Sequence, residues 1–309
     1  MRFSSLLLSI FLFVSTSYSQ PSKNLAEKLG YSPDAKLLII HADDLGLSHA
    51  TNSAVIELFK HQPTLSGSIM VPCPWFPEIA EFAKRNTNLD LGIHLTLTSE
   101  WDKYFFGGVL PSTFASSLVT ENGYFYASPA EFVSHQKLQD VEREIKAQID
   151  RAISFGIKPT HLDSHMMTIF LSEDLLNLYI KIGKEYKLPV FLPMNKLSLF
   201  SKQIIDQIKE NNIVVDNYFV KKKSCKKTEW ANEYNEFIKN LKPGLSALIF
   251  HPAYDTDENR AIMINHDNFG STWRQNDLDY LLSNDFNRCI ESNNIKIVTW
   301  KQIADIQGN

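Results

Sequence analysis

Across residues 36–300, short apolar runs alternate with longer segments whose apolar residues recur every three or four positions. This alternation constrains the fold most, because strands separated by helices pair in parallel and need helical cover. The strand-like runs are 36–43, 66–71, 90–97, 160–166, 189–193, 213–218, 245–251 and 295–300. The first helix follows Ser48, a suitable N-cap, and carries Ala54, Val55, Leu58 and Phe59 on one face. A weaker pattern covers 74–85. A strong one places Val141, Ile145, Ile149 and Ile153 on one face and ends at Gly156, suited to C′. Residues 173–186 follow Ser172, with Glu173 and Asp174 in the first turn, and helical patterns also cover 230–241 and 277–292. About eight strands are therefore expected, in an α/β single-domain distorted (β/α) barrel with mostly parallel strands. An open doubly wound sheet is the alternative, but no G-x-G-x-x-G follows the first strand. With no repeat and no Pro/Gly/Ser-rich linker, one domain is expected over 20–309.

The first residues read differently. Arg2 precedes an apolar run at 6–14, and Ser17 and Ser19 occupy the small-residue positions of a cleavage site. Residues 1–19 are expected to be a signal peptide, with the exported chain, periplasmic or secreted, starting at Gln20. No cysteine lies nearby to take a lipid, and no later run reaches the ~18 apolar residues of a membrane span. Cys73, Cys225 and Cys289 allow at most one internal disulfide, and without a C-x-x-C pair no zinc ribbon is expected. A formal charge of −4 gives no basic face for nucleic acid. The one basic cluster, residues 221–227, reads as a solvated loop. Residues 98–130 form a long connection rich in aromatics, among them Trp101, Tyr104, Phe105, Phe106, Tyr124, Phe125 and Tyr126. A connection of this length inside a compact domain is commonly functional.

Polar residues concentrate where strands end. Asp43 and Asp44 close the first strand, His94 lies within the third, His161, Asp163 and His165 sit at the fourth, and His251 closes a late one. In a barrel these ends form one rim, where residues distant in sequence converge. Adjacent carboxylates can divide labour, one binding a metal and the other acting as general base. Gly92, two residues before His94, leaves room for another backbone or a ligand. Lys158-Pro159 favours extension over 161–165, which sets His161 and His165 about 13 Å apart, so only one of them can be a ligand. His165 is the expected ligand, with His161 and Asp163 behind it or on substrate. Two histidines and one carboxylate leave coordination positions open, as a catalytic metal requires; imidazoles suit zinc, while carboxylate and water also admit magnesium or manganese. No G-x-S-x-G, H-E-x-x-H or P-loop is present.

Four motifs in order, His41-Ala42-Asp43-Asp44-Leu45-Gly46, Gly92-Ile93-His94-Leu95-Thr96-Leu97, Lys158-Pro159-Thr160-His161-Leu162-Asp163-Ser164-His165 and Phe250-His251-Pro252, resemble the YdjC-like carbohydrate deacetylases, which include chitooligosaccharide deacetylase. The resemblance runs over nearly the whole chain after residue 36. It implies a distorted (β/α) barrel and metal-dependent removal of N-acetyl groups from amino sugars in an oligo- or polysaccharide. It also implies Asp44, His94 and His165 as ligands of one divalent ion (Mg2+ or Zn2+), Asp43 as general base and His251 near the reacting centre, where it is the candidate acid. The chain departs from the family's usual Asn-Ala-Asp-Asp-Phe-Gly at His41 and Leu45, has Met166-Met167 where many members continue with histidines, and has Ala253 for the Gly of His-Pro-Gly. These departures point to an altered substrate pocket. A metal-dependent glycosidase or a non-catalytic sugar-binding protein on the same fold are the alternatives.

Overall fold

The computed structural model describes residues 23–307. The expected signal at 1–19 and the expected start of the exported chain at Gln20 lie outside them. Seven strands occur among the described residues: β1 (Lys36–Leu45), β2 (Ser66–Ile69), β3 (Asp90–Leu95), β4 (Leu162–Ser164), β5 (Asn217–Val220), β6 (Gly244–Phe250) and β7 (Ile295–Ile297). All their pairings are parallel, in the order β4-β3-β2-β1-β6-β5, with β7 on β1. One edge of β1 is shared: residues 36–38 pair with β7, while His41, Ala42 and Leu45 pair with β2. The ends of this path meet through residues 189–194. Leu162 N donates to Pro189 O, Phe191 N to Leu162 O, Met194 N to Val215 O and Val215 N to Leu192 O. The ring is thus a distorted barrel.

Side-chain parity divides the barrel into layers. Successive residues of a strand point to opposite faces. Leu37, Ile39, Leu245, Ala247 and Ile249 share an inner apolar cluster with Phe191, Val215 and Trp300. Leu38, Ile40, Ala42, Leu248 and Phe250 pack in the outer core, between strands and helices. The same inward parity continues up β1 to His41 and Asp43 and up β6 to His251. The barrel therefore has an apolar floor and a polar mouth at the C-terminal strand ends.

The helices follow local rules with some exceptions. Ser48 accepts from Thr51 N and Ser172 from Leu175 N, as N-caps. Gly156 follows helix Leu138–Ser154 at φ +91, where a left-handed C′ favours glycine. Ile153, expected on the buried face, is 47% exposed, and Ala152 is buried in its place. Three steps of four residues drift about 120° around a 3.6-residue helix, so the face returns to 152. The single helix expected over 277–292 is two, Ser271–Leu281 and Asn284–Ser292, because Ser283 caps the second by accepting from Phe286 N. The strand expected at 189–193 has only isolated bridges at Val190 and Pro193, since neither Pro189 nor Pro193 has an N–H for a ladder. The run expected at 213–218 bridges at Val215 but pairs as a strand only from Asn217. The last strand stops at Ile297; Trp300 N and Lys301 N donate to Asp90, which starts helix Trp300–Gln307. No helix among the described residues is long and apolar enough to cross a membrane.

Candidate functional site

Alternation alone would send Asp44 away from Asp43. It does not, because β1 is irregular between Ala42 and Leu45, and Asp44 takes a left-handed φ of +68. Both carboxylates thus reach the mouth. Asp44 Oδ1 lies 3.3 Å from His94 Nε2 and 3.4 Å from His165 Nδ1, and those two nitrogens are 3.3 Å apart. All three residues are buried, and Asp44 Oδ1 makes no hydrogen bond of its own.

Each imidazole is held from behind. His94 Nδ1 donates to Asp163 Oδ1 at 2.8 Å, and His165 Nε2 faces both oxygens of Glu100 at 3.0 and 3.1 Å. These bonds assign the protons to the outer nitrogens and leave the inner ones free to act as donors to an ion. Asp163 Oδ2 also accepts from His41 Nε2 at 2.9 Å, and the same nitrogen lies 3.1 Å from Asp43 Oδ1. Arg274 Nη2 donates to Asp44 Oδ2 at 2.8 Å, on the side away from the histidines. His251 Nε2 is 3.6 Å from Asp43 Oδ2.

The electrostatics follow from this crowd. Four buried or half-buried carboxylates, Asp43, Asp44, Glu100 and Asp163, crowd around the imidazoles, and the Arg274 guanidinium pairs with Asp44 alone among them. Burial pushes the Asp44 carboxyl up, but Arg274, His165 and His94 together hold it well below the usual carboxylate range. Burial likewise opposes a low pKa at Asp163, and His94 and His41 overcome it. Burial would lower His41, yet its hydrogen bonds to Asp163 and Asp43 raise it to about 9. His165 reaches about 9 because Glu100 and Asp44 outweigh its burial. His94 is raised well above its ordinary value against burial, by Asp163 and Asp43 first. His251 is different: burial dominates, with Arg274 adding to it, and lowers it to about 4. The excess negative charge that makes these imidazoles hold protons is what a divalent cation in the Asp44–His94–His165 triangle would balance. The residues present therefore fit such an ion.

His161 stands apart from this triangle. Its ring is fully buried, stacks on Trp300 at 5.3 Å and meets His41 edge-on at 5.1 Å. Burial first, then the His41 charge, pushes its pKa well below the ordinary value, so it is neutral. The room at Gly92 is filled by this ring, rather than by backbone or ligand: a Cβ there would lie 2.5–2.6 Å from three of its atoms.

A cavity of about 480 Å3 opens over the triangle. Met166 and Met167, both in left-handed backbone conformation (φ +54 and +55), turn the chain after His165 and line it. Of the aromatic residues in the long connection only Trp101 lines this cavity. Phe106 and Phe125 are buried in the core, Tyr104 donates to Leu47 O, and Phe105 and Tyr124 pair with each other in solvent. Two site residues escaped the sequence reading. Glu100 could have been found as a carboxylate on the rim loop that follows a histidine-bearing strand. Arg274, on helix Ser271–Leu281, carries no local mark.

Residues 37–292 match the sequence model of a family described as YdjC-like protein. A carbohydrate deacetylase of Thermus thermophilus is 34% identical over 253 residues, 77% of this chain and 85% of the relative. A carbohydrate deacetylase of Thermoanaerobacter pseudethanolicus is 29% identical over 274 residues, 86% of this chain and 98% of the relative. A solved structure from Enterococcus faecalis V583, described as a candidate cellobiose-phosphate cleavage protein, superposes with a TM-score of 0.72 at 23% identity, covering 87% of this chain and 99% of that one, and shares the fold. On the length of the family match and the identity to the Thermus protein, the chain belongs to the YdjC-like protein family.

Proposed function

We propose that the chain is a metal-dependent carbohydrate deacetylase that hydrolyses the N-acetyl group of an amino sugar within an oligo- or polysaccharide. The observation that carries this is the triangle of Asp44 Oδ1, His94 Nε2 and His165 Nδ1, with Asp43 beside it and outside it. The curated relatives named carbohydrate deacetylase supply the reaction class.

Asp44, His94 and His165 would hold one divalent ion, magnesium or zinc. Such an ion supplies Lewis acidity, lowering the pKa of a water and polarising an amide carbonyl. Asp163 and Glu100 keep the two imidazoles in the tautomers that face Asp44. Arg274 keeps Asp44 ionised and fixes its other oxygen. Asp43, aimed by His41, takes the proton of the attacking water. His251 starts neutral, so it must gain a proton before it can give one to the departing amine. Its Nε2 faces Asp43 Oδ2, which makes Asp43 the source. Trp101 and the two methionines form an apolar wall suited to a sugar face.

The test is incubation of metal-loaded protein with N-acetylated oligosaccharides. Acetate release with intact glycosidic bonds, read by mass spectrometry and abolished by a chelator, is the expected result. Shortened oligomers at unchanged acetylation would overturn the reading. We further propose that residues 20–309 form one deacetylase domain, exported after cleavage of residues 1–19. N-terminal sequencing of protein recovered outside the cytoplasm should start at or near Gln20, and an intact Met1 there would refute it.

A further inference from the structure

At residue 251 the strand β6 runs out of partners. Its ladder to β1 ends at Phe250 and its ladder to β5 at Ile249. The His251 N–H donates instead to Asp277 Oδ2 at 3.0 Å. The other oxygen, Oδ1, accepts from Trp230 Nε1 at 3.0 Å and from the Tyr234 hydroxyl at 2.6 Å. Three donors thus converge on a group that, when ionised, can only accept, and both its oxygens are engaged. Asp277 is wholly buried, and so is Lys221 on the far side of Trp230. The Lys221 ammonium lies 4.8 Å from the centre of the Trp230 ring and donates to Glu233 at 2.6 Å. The basic run at 221–227 therefore begins inside the protein, packed on this polar knot, and is not a uniformly solvated loop.

The His251 ring has no comparable anchor. Its Nδ1 is buried without a hydrogen-bond partner among the described residues, and its Nε2 stands 3.6 Å from Asp43 Oδ2, too far for a hydrogen bond. Phe269 and Trp273 pack edge-on against it, at 5.1 and 5.9 Å between ring centres. Where the ring stands is then set chiefly by its backbone, and a proton passes between His251 and Asp43 only if the two approach to about 3 Å. Pro252 restricts residue 251 to extended backbone. Ala253 N donates to Arg274 O at 3.3 Å, so the chain on both sides of Pro252 is tied to helix Ser271–Leu281. Arg274 on that helix also donates to Asp44 Oδ2. One helix thus touches both halves of the site, the ligand triangle through Arg274 and His251 through Asp277, one turn later.

We propose that Asp277 is a positioning residue for the reaction: by anchoring the His251 main chain to helix Ser271–Leu281, it sets the distance between the His251 ring and Asp43 that proton delivery to the leaving amine requires. This rests on the role given to His251 above. Asp277 does not line the cavity, so it acts through His251 and not on the substrate.

The experiment compares two acetyl compounds on protein loaded with zinc or with magnesium. One is an N-acetylglucosamine oligomer, whose amine must be protonated to leave. The other is 4-nitrophenyl acetate, whose phenolate leaves without a proton. Asp277→Ala should lower kcat on the amide about 10–100-fold with KM little changed, and kcat on the ester far less, so that the amide-to-ester ratio falls. Asp277→Asn, whose amide oxygen can still accept from His251 N, should restore most of that ratio. Leu278→Ala, which removes a buried side chain from the same helix, should keep it. In parallel, the His251 ring signals in the NMR spectrum, identified by their loss in His251→Gln, should move in Asp277→Ala and stay in place in Leu278→Ala. An unchanged ratio in Asp277→Ala, an equal fall of the ratio in Leu278→Ala, or unmoved His251 signals would overturn the proposal. If the unmodified protein releases no acetate from the oligomer, the deacetylase reading falls, and the His251 signals alone decide whether Asp277 places the ring.

Discussion

Gly92→Ala is a small change with a calculable cost. Gly92 lies on β3 facing inward, and a Cβ there would sit 2.5 Å from the His161 ring, against an ordinary contact near 3.4 Å. The ring would have to retreat by about 1 Å, and little gives way behind it. Trp300 stacks on one face, His41 meets its edge, and Nδ1 lies 3.0 Å from Thr160 Oγ1. Forcing a methyl into such a packed interior costs about 1–3 kcal/mol. Without the clash the sign would reverse, because replacing a strand glycine by alanine stabilises by about 0.4–1 kcal/mol through the unfolded chain. His161→Ala alone should cost about 2–4 kcal/mol through the void it leaves. In that background Gly92→Ala should cost nothing or stabilise, giving a coupling of about 1–3 kcal/mol. Urea unfolding of the wild type, both single variants and the double variant measures all four corners. A stabilising Gly92→Ala, or additive single effects, would refute the view that glycine is present to admit the histidine ring.

The remaining predictions concern the polar mouth. Asp44→Ala, His94→Ala and His165→Ala should each remove the bound ion on metal analysis, and Asp44→Ala should also destabilise the metal-free protein by about 3–5 kcal/mol by stranding the buried Arg274 charge. Asp43→Asn should bind the ion normally while turnover drops about 10²–10⁴-fold; equal loss of both would make Asp43 a ligand. Glu100→Ala should weaken metal affinity about 10–100-fold in calorimetry, and Glu100→Gln less, because its carbonyl still accepts from His165; unchanged affinity in both would exclude the orienting role. Burial raises the Asp277 carboxyl to about 6, even though it accepts from Trp230, Tyr234 and His251 N. Its folded pKa exceeds the unfolded one, so its contribution to stability is complete below about pH 4 and is lost as pH rises through about 6. Comparing pH-dependent unfolding of the wild type and Asp277→Asn isolates that slope, and parallel curves would show that it is absent.

What could be read from the chain alone depended on the range of the cause. Period-two alternation belongs to the strand itself, so the clustering of Asp43, His94, Asp163 and His251 at one rim was legible before any contact was known. The inward turn of Asp44 comes from a backbone irregularity at the end of β1, which residue types do not announce. Arg274 reaches Asp44 from a helix near the other end of the chain, and only the closed ring brings the two together. The proline-flanked segment at 189–193 looked like a strand by composition, but its hydrogen-bonding capacity limits it to bridges. Lys221 and Lys222 show the limit most directly: two adjacent, identical residues, one sealed against Trp230 and Glu233 and the other lining the cavity.

The layered interior has a consequence for how such a chain tolerates change. The apolar floor and the polar mouth are written on one set of strands, in one phase, with Leu37 and Ile39 leading to His41 and Asp43. Exchanging one floor side chain for another of similar volume leaves that phase intact. Inserting or deleting a single residue between 36 and 40 does not, because it would send Ala42 inward and His41 and Asp43 out beneath the helices. In this barrel the length of a strand's lower half therefore carries information about the chemistry at its top, and a lineage could rewrite the floor many times while remaining unable to add one residue to it.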